Sequence, residues 1–153
     1  MPMTIFNRDK RFISMHSVEF RLLPDYPFPA QLQDGVSVYI NLLRRGVPAK
    51  HIVLMGDSSG ANIALSLARW VRDTIQEGKG EERVTVKDGE QVSWRLADPG
   101  GLILFSVSQV LVTDRIPNIE LHCILLHSLG SILVSCSLFI ICAPSFTNVL
   151  RTL

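Results

Sequence analysis

An α/β fold is predicted for this chain, with a partial parallel sheet flanked by helices and an atypical apolar C-terminal tail. Three observations predict it. Ile52-Val53-Leu54-Met55 is a short, continuous apolar run of the kind that makes a strand buried on both faces. It runs straight into Gly56-Asp57-Ser58-Ser59-Gly60 and then into a helical pattern. A second apolar run, Gly101-Leu102-Ile103-Leu104-Phe105, follows that helix, so strand, helix and strand alternate.

The first strand is expected at 17–23, where Val18, Phe20 and Leu22 alternate with polar residues. Pro24-Asp25-Tyr26-Pro27-Phe28-Pro29 then reads as a proline-stiffened loop. Pro29 suits the first turn of a helix, where its missing N–H costs nothing. Leu32, Val36, Tyr39, Ile40 and Leu43 recur at helical spacing, and Gly46 stands where a C-terminal cap belongs. Val47-Pro48-Ala49-Lys50 links to the strand at 52–55. After the serine-bearing turn, Ile63, Leu67, Ala68 and Val71 make one apolar face. Residues 76–82 form a charged loop, and 84–87 with 90–94 resemble a hairpin around Asp88-Gly89.

At 153 residues the chain is one domain by length, with enough sequence for a real core. Its net charge of +1 gives no reason to expect a nucleic-acid partner. Residues 1–10 lack the apolar run of a secretory signal. Cys123, Cys136 and Cys142 form neither a paired framework nor a metal spacing, so a reducing compartment is the simpler reading. No cofactor motif and no metal motif are present. Charge divides the chain: residues 1–106 hold 12 acidic and 13 basic side chains, whereas 107–153 hold 2 of each. The expected organisation is therefore a domain over 1–106 and a separate tail over 107–153.

The turn at Ser58 has the composition of a nucleophile elbow. A serine at the apex of a sharp strand-to-helix turn is held in a strained backbone conformation with its hydroxyl clear of the sheet. Gly56 and Gly60 are needed because a larger side chain at either would strike the neighbouring strand or helix. The Ser59 N–H would face the site and could donate to an oxyanion. Right-handed crossovers would put the helices on the sheet faces and Ser58 at the carboxyl end of its strand, the edge where open α/β sheets bind ligands. Asp57 is a carboxylate next to the serine, but neighbours on a tight turn point different ways, so a structural or polar role fits it better than that of triad acid.

Phe20-Arg21-Leu22-Leu23-Pro24-Asp25-Tyr26-Pro27-Phe28-Pro29-Ala30, followed by Asp34, resembles the Y-R-L-A-P-E-x-x-F-P-A…D signature of the hormone-sensitive-lipase-like branch of the α/β hydrolases, the α/β hydrolase fold-3 family. Gly56-Asp57-Ser58-Ser59-Gly60-Ala61-Asn62 resembles that branch's G-D-S-A-G-G-N elbow. The resemblance covers roughly residues 15–106, a fragment of the family's domain. It implies a partial α/β-hydrolase and a carboxylic ester hydrolase, with Ser58 as nucleophile, the Ser59 N–H as one oxyanion donor, and a small ester or acyl substrate.

The same resemblance implies parts that this sequence does not supply in the expected places. The family's His-Gly-Gly-Gly loop has no counterpart in residues 1–16. In this fold the triad follows the order serine, acid, histidine. Asp98 or Asp114 would be the acid and His122 or His127 the base. Both histidines lie inside an apolar run, five residues apart, and read as incidental; His16 and His51 precede the serine. The expectation is an esterase or lipase-like enzyme with impaired catalysis. The alternative is a catalytically inactive remnant, and a third reading is a membrane-tethered interaction protein.

The tail departs from the family pattern at Val107-Ser108-Gln109. A Val-Ser pair can be encoded across a splice-donor sequence, so a retained intron or a faulty gene model is the expected origin of 107–153. Residues 121–143 carry no acidic, lysine or arginine side chain. As a helix these 23 residues would reach across a bilayer core of about 30 Å, so a transmembrane helix at 121–143 is one expectation. A buried core segment and an unselected apolar translation are the others. Localisation follows from that choice: cytoplasmic, or membrane if 121–143 inserts.

Overall fold

A computed structural model describes residues 14–85, 91–105, 120–124 and 137–143. The elements are β1 (Ser14–Val18), α1 (Ala30–Arg44), a 3-10 turn (Ala49–His51), β2 (Ile52–Asp57), α2 (Ser59–Gln76), β3 (Glu81–Thr85), β4 (Gln91–Arg95), β5 (Gly101–Phe105), β6 (Glu120–Ile124) and β7 (Ser137–Cys142). Five strands form one sheet in the order β1-β7-β2-β5-β6, and β3 pairs with β4 in a separate antiparallel hairpin. The residues of the expected Asp88-Gly89 turn lie outside the described residues.

β2 and β5 run parallel, with Val53 opposite Gly101 and Asp57 opposite Phe105. β6 continues the parallel set beside β5. β7 enters between β1 and β2 and is antiparallel to both. The expected α/β architecture is present, but the sheet is mixed rather than wholly parallel. β7 lies outside the β–α–β succession that sets β1, β2 and β5 parallel, and its ladders to β1 and β2 are antiparallel.

Both helices lie on one face. The β1–α1–β2 and β2–α2–β5 crossovers advance the same way across the sheet, so a common handedness puts α1 and α2 on the same side. There Leu54, Leu102, Leu104, Leu138 and Ile140 form a single core with Tyr39 and Leu42 of α1 and Ala64, Leu67, Ala68 and Val71 of α2. The opposite face carries a second cluster of Val53, Met55, Ile103 and Ile141. Strand residues therefore alternate between two buried faces, which explains why the strand sequences are apolar throughout.

The helix ends follow local chemistry. At the end of α1, Gly46 takes φ +83°, its N–H reaches the Leu43 carbonyl, and the Val47 N–H reaches the Leu42 carbonyl. This Schellman arrangement satisfies two carbonyls that the helix would otherwise leave bare. Gly78 and Lys79 close α2 in the same way, on Ile75 and Thr74.

Two expectations are corrected. β1 spans Ser14–Val18 rather than 17–23. The segment after Val18 leaves the sheet and is tied down at Arg21, whose guanidinium grips Asp34 of α1 with Nη2–Oδ1 at 2.9 Å. The transmembrane helix expected at 121–143 is not formed: 120–124 and 137–142 are strands, and no helix among the described residues is long and apolar enough to cross a membrane. Apolarity without polar alternation fits a strand buried on both faces as well as a lipid-facing helix. Pairing of β7 with two neighbours decides between them. Asp114, His127 and Cys136 lie outside the described residues.

Candidate active site

Ser58 stands between the last residue of β2 and the first of α2, with φ 54° and ψ −117°. It is the one non-glycine residue with positive φ among the described residues. A backbone of this kind costs of order 1–3 kcal/mol and persists only where its surroundings hold it. Here they do. The Ser58 N–H donates to the Phe105 carbonyl at 3.1 Å, tying the turn to β5. The Ser58 carbonyl accepts from the Ala61 N–H at 3.1 Å, opening α2. The Ser58 hydroxyl makes no capping bond to the helix, so it is not used up in holding the turn.

Ser59 is the first residue of α2 and is exposed. The first N–H groups of a helix have no intrahelical acceptor, and the aligned peptide dipoles add positive potential there. Their position beside the Ser58 hydroxyl suits stabilisation of negative charge.

The two glycines have different neighbours. A β-carbon on Gly56 would strike the Gly60 carbonyl and the Ala61 nitrogen. A β-carbon on Gly60 would strike the carbonyl of Ser137 in β7. Gly56 thus lets α2 start directly above β2, and Gly60 lets α2 close onto β7. Asp57 pairs across the sheet with Phe105 on one side and Ser137 on the other, and is partly exposed. Nothing in the sequence around Ser58 identified Ser137 as a neighbour of this turn; 79 positions separate them, and only strand pairing brings them together.

Of the other candidates, the backbones of His51, His16, His122 and Asp98 are placed away from Ser58. His51 lies at the opposite end of β2, and the six residues of that strand hold it about 20 Å away at about 3.3 Å per residue. His16 is level with Ile140, which is level with Leu54, and its Nε2 lies 3.1 Å from the Ser14 hydroxyl. His122 sits on β6 opposite Ile103, two strands from β2 and level with Met55. Asp98 belongs to the connection leading into β5, at the sheet edge opposite Ser58; its neighbour Ala97 receives the Tyr39 hydroxyl at 2.7 Å. Neither His16 nor His51 bonds the Ser58 hydroxyl, and among the described residues no three His, Cys, Asp or Glu side chains gather as metal ligands.

A largely parallel sheet, a serine at positive φ on the sharp turn from strand to helix, and glycines at the two closest approaches define an α/β fold of the hydrolase class. The chain belongs to the α/β hydrolase fold family, in its fold-3, hormone-sensitive-lipase-like branch, and residues 12–113 match the family. It is similar to an acetyl-hydrolase of Streptomyces hygroscopicus, 39% identical over 57 residues, which is 37% of this chain and 19% of that protein. It is similar to an esterase of Acinetobacter venetianus, 41% identical over 51 residues, or 33% of this chain and 17% of that one. Human arylacetamide deacetylase-like 2 is 34% identical over 83 residues, covering 50% of this chain and 21% of the relative. The matched stretches therefore span about a fifth of these relatives. No solved structure matches the chain significantly. β6 and β7 fall beyond the matched residues.

Proposed function

We propose that this chain carries the serine-presenting core of a carboxylic ester hydrolase and reacts through an acyl-Ser58 intermediate. The observation that carries this reading is the positive-φ conformation of Ser58 between β2 and α2. In the step it supports, Ser58 Oγ attacks the ester carbonyl carbon and the Oγ–C bond forms. The bond from that carbon to the alcohol oxygen breaks, and the hydroxyl proton ends on the departing alcohol. Water then hydrolyses the acyl-serine. The Ser59 N–H donates to the carbonyl oxygen while it is negative. The names of the relatives, acetyl-hydrolase and esterase, favour a small ester or acyl compound as substrate.

A serine hydroxyl is a weak nucleophile until a base takes its proton. With His16 and His51 placed away from Ser58, acylation by the described residues alone rests on the turn and its helix N-terminus. The rate then falls several orders of magnitude below that of a complete triad. A fluorophosphonate probe tests the reading directly. Slow labelling mapped to Ser58 and lost in Ser58→Ala, with weak turnover of a short-chain nitrophenyl ester, supports it. The positions of those histidines favour a second reading, a catalytically inactive remnant of the family. A folded sample that neither labels nor turns over supports that reading instead.

A further inference from the structure

A second polar site lies between β1 and the last two turns of α1, away from Ser58. A shallow, largely open cavity of about 270 Å³ is lined by His16, Ser37, Val38, Asn41, Leu42 and Arg45. Its polar groups differ in how far they are already engaged. The Ser37 hydroxyl donates to the Gln33 carbonyl at 2.7 Å, so its proton is used. The His16 ring is fixed by Ser14 Oγ at 3.1 Å from Nε2, which leaves Nδ1 as its remaining nitrogen. Arg45 forms no ion pair among the described residues, although its guanidinium carries a full charge. Val38 and Leu42 supply an apolar wall one helical turn apart.

We propose that this cavity binds a short-chain aliphatic carboxylate, with the carboxylate on Arg45 and the hydrocarbon stem against Val38 and Leu42. Guanidinium matches a carboxylate with two parallel N–H donors, and such charge-assisted bonds are the stronger kind. Asn41 offers a further amide donor on the same rim, and His16 a ring nitrogen. The apolar wall separates this ligand from inorganic phosphate, which has no stem to bury. One effect opposes binding: the cavity borders the C-terminal end of α1, where the helix carries negative potential equivalent to about half a charge. The capping bonds from Gly46 and Val47 have already engaged two of the carbonyls there, and Arg45 brings a whole positive charge to the same place. The net field therefore favours an anion. The volume accommodates a stem of a few carbons and lies below the range of about 300–1,000 Å³ usual for drug-sized ligands.

Butyrate titration followed by calorimetry or amide chemical shifts tests this on the full chain. Butyrate is expected to bind at one site in the millimolar range, more tightly than acetate or inorganic phosphate, with no binding of butylammonium. Arg45→Gln is expected to weaken it about tenfold or more. Arg45 is exposed, and its backbone N–H bond to Asn41 does not depend on the side chain, so the variant keeps the fold. Arg45→Lys should retain part of the affinity, and Ser58→Ala all of it. The proposal is overturned if millimolar butyrate does not bind, if Arg45→Gln leaves the affinity unchanged, if phosphate binds as tightly, or if Ser58→Ala abolishes binding and so moves the ligand to the other site.

Discussion

The carbonyl of Ser137 occupies the place that a β-carbon on Gly60 would need. The first residue of β7 is thus wedged against the first turn of α2, one position beyond Ser59. Backbone cannot yield as a side-chain tip can. Gly60→Ala is therefore expected to cost about 1–3 kcal/mol or more, the range of overpacking. Gly56→Ala, which meets the Gly60 carbonyl and the Ala61 nitrogen, should cost a similar amount. Urea midpoints measure both, and an unchanged midpoint for Gly60→Ala would mean that β7 does not lie against the helix.

Leu138 tests whether 137–142 is a working part of the fold. It is fully buried, belongs to the same core as Leu67 and Tyr39, and its Cδ2 lies over Gly35 of α1. Leu138→Ala should destabilise by about 2–5 kcal/mol, as large-to-small core changes do. A segment foreign to the fold would tolerate the change within about 0.5 kcal/mol. Chemical denaturation separates those two outcomes.

The difference between β2 and β7 shows what a sequence reveals of this fold. Ile52-Val53-Leu54-Met55 is bounded by Pro48 and by the glycine-flanked serine, so its length and flanks identify a strand. The end of α1 was equally readable, because Gly46 supplies a positive φ where the apolar period stops. β7 lies in an apolar run with no such punctuation, and its identity comes from pairing with residues 80–90 and 120–128 positions away. β1 was displaced for a related reason. The alternation at Val18, Phe20 and Leu22 fits a strand, yet Arg21 has a stronger local partner in Asp34. For the site, the turn was legible because it is contiguous in sequence. The neighbourhood of Ser137 and the cavity at Arg45 were not, since distant elements build both.

Tyr39 is a source of pH-dependent stability on the alkaline side. Its ring is fully buried and its hydroxyl donates to the Ala97 carbonyl at 2.7 Å. Burial, helped by the negative charge of Asp98, pushes the phenol well above its ordinary value of about 10. The unfolded chain ionises first, so the stability is fully present below about pH 10 and declines as pH rises beyond it. Tyr39→Phe should remove that decline. At neutral pH it should cost about 0.5–1.5 kcal/mol, because Ala97 is exposed and water can reach the vacated carbonyl. The chain has two tyrosines, so a Tyr26→Phe background leaves Tyr39 as the sole phenol for an ultraviolet titration.

Asp34 makes a small contribution on the acid side. Arg21 bonds it from Nε to both carboxylate oxygens at 3.1 Å and from its own backbone N–H at 2.9 Å, and these bonds hold the Asp34 carboxyl below the usual value. A depressed folded value means that the contribution is present above the unfolded value of about 3.9 and disappears as pH falls through the folded one. The pair is solvent-facing, so the effect is small and salt-sensitive. Asp34→Asn should flatten the urea midpoint between pH 5 and 3 relative to the parent chain, in about the same measure that added salt does.

Ser58 offers a test of strain apart from chemistry. A residue with a β-carbon at φ 54° and ψ −117° is under strain of about 1–3 kcal/mol, and glycine at the same position is not. Replacing serine by glycine also gives the unfolded chain more freedom, which costs about 0.4–1 kcal/mol. The hydroxyl contributes no capping bond that would be lost. Ser58→Gly is therefore expected to raise stability by about 1 kcal/mol. Ser58→Ala keeps the β-carbon and the strain and should change it by less than about 0.5 kcal/mol. Equal midpoints for the glycine and alanine variants would show that the turn is relaxed. A rise confined to glycine would show that the fold holds this serine in place at a cost, which is what an enzyme does with a residue it needs presented in one orientation.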